Sequence, residues 1–440
     1  MKGARSWRDK KAAAVCLAGM IAALSAACGG REEKSQNLLT PDEEEVRVVD
    51  LFSPMEKTDP NSENVARNAM EQTVCLAEER LGVQVDYMTY TAEDYQDKTY
   101  DEVTIERVRN DMDDLYLLNP DTILALGAEG ALMDLSGLDS AKDLREIIKI
   151  ANTVDGKLVA IPQEVVAYGL FVNKDLFDRY GLALPETPEE FLECCRVFKE
   201  NGIETPIGAN RWWLENFVFA IAYADLYNGG DTEAQIAALN SGERKYSDYM
   251  RPGFLFLKEL IDRGYIDAEK ALVSEAIEGE RADFLAQKTP IVMAYWGAAN
   301  ADTAYGAPDF HMEVIGFPSS RGQMPVMPMT GIAVGAGAEH AEEAMEVLDV
   351  MVSEEALRLY AETNKVISPS KNVEVGCIPA LKPLNERIQA GIYVLGSNAG
   401  MKVEQWGNTC LIVRELLDGA TVEACMAEFD QLQEEALAGK

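Results

Sequence analysis

Beyond residue 46 the chain alternates short apolar runs with longer stretches in which apolar residues recur every three or four positions. VRVVDLF (46–52) reads as a buried strand, ENVARNAMEQTVCLAEERLG (63–82) as an amphipathic helix and VQVDYMTY (83–90) as a second strand, which makes a βαβ unit. A helix through YDEVTIERVRNDM (100–112) leads to the apolar strand DLYLLN (114–119), then Asn119-Pro120-Asp121 and a short helix. Strand and helix in alternation predict an α/β layer fold with a mostly parallel sheet.

The second half keeps the alphabet and changes the order. LVAIPQEVVAYGLFVN (158–173) is two apolar extended stretches in succession. TPEEFLECCRVFKENG (187–202) is a well-punctuated helix: Thr187 as N-cap, Pro188 at the first position, Glu190 closing a capping box, Gly202 as stop. A short strand TPIGAN runs into Trp212-Trp213, and the apolar helix FVFAIAYADLY (217–227) follows. TPIVMAYWG (289–297), EVIGFP (313–318) and GIAVGA (331–336) read as strands, and AEEAMEVLDVMV, SEEALRLYAETN and NTCLIVRELLDG as helices. No internal repeat stands out.

At 440 residues the chain is too long for one core and predicts two or three domains. The N-terminus has its own pattern. Arg5, Arg8, Lys10 and Lys11 precede AAAVCLAGMIAALSAAC, the layout of an export signal rather than a membrane span. It ends at Cys28, and the pattern resembles a bacterial lipoprotein signal, which implies cleavage after residue 27 and lipidation of Cys28. An ordinary secretory signal cut near Ala27 is the alternative. GGREEKSQNLLTPDEEE is polar and aperiodic, so residues 28–45 are expected to be a tether, spanning on the order of 20–25 Å if flexible.

The formal charge of −35 argues against a phosphate-backbone partner. Apart from Cys28, the cysteines beyond the leader (Cys75, Cys194, Cys195, Cys377, Cys410, Cys425) show no CxxC pair, and the chain has only His311 and His340, so no metal site is expected. Cys410 and Cys425 leave two options open, a bridge between C-terminal helices or two buried thiols. No G-x-S-x-G, HExxH or Cys/His pairing appears, so no catalytic residues and no cofactor are assigned.

The segments IPQEVVAYGLFVNKDLFDRYGLALPETPEEFLECCRVFKENGI and GIAVGAGAEHAEEAMEVLDVMVSEEALRLYAETNKVISPS, together with the leader, resemble the extracellular solute-binding lipoproteins of carbohydrate ABC transporters, the group that is similar to maltose-binding protein. The resemblance implies an α/β fold of two periplasmic-binding-protein-like lobes, interleaved and joined by a hinge. Residues 46–160 and 332–365 would form the first lobe, 161–331 and 366–440 the second. It further implies a monomeric, non-enzymatic protein, lipid-anchored outside the cytoplasmic membrane, that closes on an oligosaccharide and docks on two permease subunits.

A sugar presents hydroxyls around its edge and C–H groups on its face, so it is matched by aromatic planes together with amides and carboxylates. Trp212, Trp213, Trp296 and Trp406, all the tryptophans beyond Trp7, map by resemblance to the mouth between the lobes. One of Trp212 and Trp213 is expected at the ligand, with Trp213 preferred, and its neighbour wedged against the lobe. Asp121 follows the carboxyl end of a strand, where ligands of open α/β sheets sit. Asn119 has the same place or caps the next helix, and Ser53 follows the first strand. Among Gln163, Glu164 and Tyr168, at the crossing segment, one is expected to face the cleft. Asn210 and Thr330 complete the candidates. A secreted glycosidase, or a binding protein for a cationic or peptide solute, are the competing readings.

Overall fold

The computed structural model describes residues 47–55, 68–95, 98–228, 231–274, 278–296, 308–320, 324–328, 330–374, 382–396 and 400–438, with Gly322. The expected signal (1–27), Cys28, the tether (28–45) and Cys377 lie outside the described residues, as does the side chain of Trp296.

The chain opens with β1 (Val48–Ser53), α1 (Ala69–Leu81), β2 (Gln84–Thr89), α2 (Tyr100–Arg109), β3 (Leu115–Leu118) and α3 (Pro120–Ala128). Capping boxes start α1 (Asn68 with Glu71) and α2 (Thr99 with Glu102), so α1 begins at Ala69, inside the 63–82 stretch read as a helix. After α4 (Glu146–Ala151) and the small hairpin β4 (Thr153–Val154) and β5 (Lys157–Leu158), β6 (Ile161–Pro162) closes this part. The first sheet has the order β2-β1-β3, then a later strand, β12 (Gly331–Val334), then β6. Its base is tied by charge: Arg107 grips Asp113 through Nε (2.8 Å) and Nη2 (2.6 Å), and Asp114 accepts from the backbone N–H of Asp50 and of His340.

A second sheet forms around β7 (Val165–Asn173), whose nine residues VVAYGLFVN are all buried. A strand covered on both faces needs no alternation, which accounts for the unbroken apolar run. Next come α5 (Lys174–Arg179), α6 (Pro188–Glu200) with its Thr187/Glu190 capping box, and β8 (Ile207–Gly208). Helices α7 (Glu215–Asn228), α8 (Thr232–Ser241), α9 (Tyr246–Asp262), α10 (Ala268–Val273) and α11 (Glu278–Leu285) follow. On α9, Gly253 lets the helix lie directly on α7, since a Cβ there would stand 2.7 Å from the Val218 carbonyl oxygen. Strands β9 (Ile291–Trp296), β10 (Met312–Ile315) and β11 (Met324–Pro328) flank β7.

The chain then returns to the first sheet through β12, α12 (Ala341–Met351) and α13 (Glu354–Asn364), and ends on the second with α14 (Lys382–Gln389), β13 (Tyr393–Leu395), α15 (Trp406–Leu417) and α16 (Val422–Leu437). The second sheet reads β13-β11-β7-β9-β8, with β10 also on β7. Three segments pass between the sheets: 162–165, 328–331 and the stretch around Ile367, which bridges to Val165.

The mostly parallel sheet expected from the pattern holds for β2-β1-β3 and, in the second sheet, for the outer pairs β8-β9 and β11-β13. In the first sheet β12 runs antiparallel to β3 and β6, and in the second β7 is antiparallel to β9, β10 and β11. Burial on both faces yields the same apolar run in either direction, so those runs carried no information on polarity. Strand β11 contains Pro325 and Pro328, which is why pattern alone passes over it. Cys410 and Cys425 are both buried and are not joined to one another, so the 410–425 bridge is not formed.

Candidate functional site

The strand ends of the first sheet carry one side of the site. Asn119 stands at the N-cap of α3 with extended backbone but makes no side-chain cap bond. Instead its Nδ2 donates to Asp101 Oδ1 at 2.9 Å, and Thr122 Oγ1 donates to the same oxygen at 2.8 Å. Asp121, in the first turn of α3, keeps contact with solvent while closely surrounded by protein. Its carboxyl is pushed up to about 7, first by desolvation, then by the charges of Glu404 and Asp101. Ser53 is fully buried, with Oγ accepting from Met55 N–H (3.1 Å) and Tyr87 O–H (3.2 Å), so it serves the strand end itself.

Beside these residues lies an aromatic cluster that sequence reasoning missed. Tyr90 and Tyr95, half-buried just past β2, stack at 5.6 Å and 12°. Beneath them Phe52 stacks on Tyr100 at 5.7 Å, and the Arg107 guanidinium covers Phe52 at 4.5 Å. The signal was available: both tyrosines follow the carboxyl end of a parallel strand, the rule that singled out Asp121.

The other side comes from the turn after β8 and the start of α15. Asn210 is fully buried; its Oδ1 accepts from Trp212 N–H (2.8 Å) and its Nδ2 donates to Glu280 (3.1 Å). That Asx turn sends the two tryptophans apart. Trp212 lies between the guanidinium groups of Arg211 (4.9 Å) and Arg414 (5.6 Å). Trp213 packs instead on Tyr168 of β7, ring centres 5.6 Å apart and tilted 51°. Both are buried.

Trp406 is the first residue of α15 and is half-buried. The preceding Glu404 caps the helix, accepting from Gly407 N–H (2.5 Å) and Asn408 N–H (2.9 Å). A Cβ at Gly407 would stand 2.9 Å from the Glu404 carboxylate, which explains the glycine after Trp406. Burial raises the Glu404 carboxyl above the ordinary range, against those helix N–H groups, and its charge reaches Asp121. Gln405 is locked by Tyr223 O–H (2.5 Å) and by its own bond to the Val403 carbonyl. Carboxyls from the starts of α3 and α15, attached to different sheets, therefore feel one another.

The crossing residues divide. Gln163 is buried and donates to Thr73 Oγ1 and to the Met351 carbonyl, both at 2.9 Å. Glu164, next in sequence, is buried with Oε2 unpaired, and desolvation alone pushes its carboxyl up to about 7. Thr330 is half-buried in the 328–331 crossing, and Trp296 ends β9 opposite Ala167. The structure thus sets Asn119 and Asp121 together at the start of α3, within reach of the Glu404 charge, and separately Tyr168 with Trp213, whereas Ser53, Gln163 and Asn210 are engaged in internal bonds. Glu404, Tyr90 and Tyr95 are added to them.

The sequence profile described as bacterial extracellular solute-binding protein matches residues 62–357, more than half of the chain. Among curated proteins, the melibiose/raffinose/stachyose-binding protein MelE of Bacillus subtilis (strain 168) is 23% identical over 193 residues, 42% of this chain. The match spans only 44% of that relative's length. A family 1 extracellular solute-binding protein from Bifidobacterium longum subsp. infantis superposes with a TM-score of 0.72 at 17% identity, covering 88% of this chain and 98% of that one. The apo form of RafE from Streptococcus pneumoniae gives 0.68 at 17% identity, over 91% and 100% of the two chains. The fold shared with these structures is the two-lobe periplasmic-binding-protein-like α/β fold. The chain therefore belongs to the family of bacterial extracellular solute-binding proteins, which work outside the cytoplasm and bind solutes rather than transform them.

Proposed function

We propose that the protein binds an oligosaccharide between two lobes, 46–160 with 332–365 and 161–331 with 366–440, and hands it to a pair of ABC permease subunits when the lobes close. The observation that carries this reading is the approach of Asp121 and Glu404 from the two sheets, with half-buried rings on each side: Tyr90 and Tyr95 on one, Trp406 on the other. Planes for C–H faces and carboxylates for hydroxyls are the two things a sugar needs. Closure follows because a ligand touching both lobes binds the closed state better than the open one. Trp406, Asp121 and Asn119 are assigned as contacts, with Trp213 and Tyr168 behind them and Trp296 at the end of β9. Thr330 and Glu164 belong to the crossing segments that bend. In this reading Cys28 carries a lipid, residues 28–45 tether the monomer to the membrane, and no cofactor takes part. MelE is a melibiose/raffinose/stachyose-binding protein and RafE has been seen in complex with raffinose, which supports the ligand class.

The test is a thermal-shift panel with melibiose, raffinose, stachyose, malto-oligosaccharides, amino acids and polyamines. A ligand present at a hundred times its Kd adds about 2.7 kcal/mol, so one saccharide series should raise Tm by several degrees. A response confined to polyamines or amino acids defeats the carbohydrate assignment. The raised carboxyls of Asp121 and Glu404 also fit a glycosidase acid/base pair. Recovery of the bound sugar intact after prolonged incubation separates the two.

A further inference from the structure

Trp406 has its two ends in different surroundings. The residue is half-buried, yet its indole Nε1 is fully buried and has no hydrogen-bond partner. Behind it lies Glu215, the first residue of α7, which has no exposed surface. Glu215 Oε1 accepts from Asn216 Nδ2 at 2.8 Å, while Oε2 is buried and unpaired. The carboxyl faces the Trp406 indole and the Cys410 thiol, which stand one turn apart on the same side of α15. A donor on one helix and an acceptor on another are thus both buried, both unpaired and directed at one another. A polar atom left unmade in such a place is costly, and no other described group satisfies either.

We infer that Glu215 is a positioning residue for Trp406: its carboxyl holds the buried N–H edge of the indole, so that the rest of the ring is kept in the cleft as a rigid stacking plane. The inference rests on the assignment of Trp406 to the ligand surface made above. It also gives the WWLEN segment one purpose. Trp212 is pinned to α15 through Arg414 and Glu215 reaches Trp406 on the same helix, so the turn after β8 and the start of α15 form a single wall. Burial pushes the Glu215 carboxyl up to about 8, against the offsetting effects of Cys410, Trp406 and Asn216. Trp406 and Asn216 carry no charge, and the charged groups of the adjoining turn and helix, Arg211 and Arg414, are held against Trp212. The carboxyl is therefore mostly neutral at pH 7 and ionises above pH 8, which gives a readout that plain packing lacks.

The experiment follows the indole N–H resonance of Trp406, assigned by its loss in Trp406→Phe, from pH 6 to 9.5 in the full chain without sugar. The resonance should shift with a midpoint near 8 and stay fixed in Glu215→Gln. A resonance that does not move, or moves equally in Glu215→Gln, overturns the inference whatever the protein binds. With raffinose as probe at pH 7, Glu215→Gln should keep affinity within about twofold, and Glu215→Leu should lose about tenfold while acrylamide quenching of Trp406 rises. Equal affinities in all three also overturn it. If the resonance titrates as expected but no saccharide stabilises any variant, the carbohydrate reading fails and the hold on the ring stands.

Discussion

The two sides of the proposed site are built by different means. At the first sheet, polar groups stand at strand ends over an aromatic layer, and the leading carboxyl, Asp121, is open to solvent. At the second, rings come first and polar groups lie behind them: Trp212 under two guanidinium groups, Trp213 on Tyr168, Trp406 over Glu215. One side offers hydrogen bonds that adjust, the other planes that do not. Under the proposed function, such a site would take its affinity from the rigid side and its choice among hydroxyl patterns from the adaptable one.

The sharpest way to break that contrast is to remove one group from each side. Trp406→Ala is expected to abolish measurable sugar binding and also to lower Tm, because the indole edge beside Glu215 is buried and its removal leaves a void there. Asp121→Asn keeps the shape and removes the charge that the carboxyl carries above its value of about 7, so at pH 8 it should cost about tenfold, in line with one charged hydrogen bond. Titration calorimetry on both variants checks this. Asp121→Asn weakening binding as much as Trp406→Ala would show that the two sides do not divide the work.

How much of this was legible in the sequence follows the same division. The strand-end rule could single out Asp121 and Asn119 as candidates because it needs only local order: an apolar strand, then Asn-Pro-Asp. The capping box at Thr187 and Glu190 was readable for the same reason. The second side depends on residues nearly two hundred positions apart, such as Glu215 beneath Trp406, and no periodicity records which helix a side chain will meet. Tryptophan content pointed to the wall but not to the carboxyl behind it. Ser53 shows the rule's limit, since a hydroxyl at a strand end also bonds its own turn and the neighbouring Tyr87.

The crossing segment offers a second contrast, between neighbours. Gln163 spends its amide on Thr73 and Met351, so Gln163→Ala leaves the Met351 carbonyl and the Thr73 hydroxyl without that donor and should cost about 2 kcal/mol of stability. Glu164 acts in the opposite sense. Its folded value of about 7 lies above the ordinary carboxylate value, so its contribution is full below about pH 4.5 and is lost as pH rises towards 7. Glu164→Gln should therefore raise Tm at pH 8, by on the order of 1–3 kcal/mol of stability, and leave it nearly unchanged at pH 4.5. A gain of the same size at both pH values would mean that packing, rather than ionisation, distinguishes the variant.

The smallest expected effect separates the adjacent tryptophans. Trp212 touches two cations, and each such contact contributes about 0.5–1 kcal/mol; phenylalanine keeps part of the ring and weakens both. Trp212→Phe is thus expected to lower stability by about 1 kcal/mol and to leave affinity unchanged, since its partners, Arg211 and Arg414, point it into the wall. Trp213 touches Tyr168 on the strand that continues the crossing segment, so Trp213→Phe should change affinity about threefold, roughly the 0.5–1.5 kcal/mol of an aromatic pair, with a smaller change in Tm. Chemical denaturation and calorimetry on the two variants measure both quantities. The reverse pattern, affinity falling in Trp212→Phe and stability in Trp213→Phe, would exchange their roles and put the arginine-covered ring at the ligand.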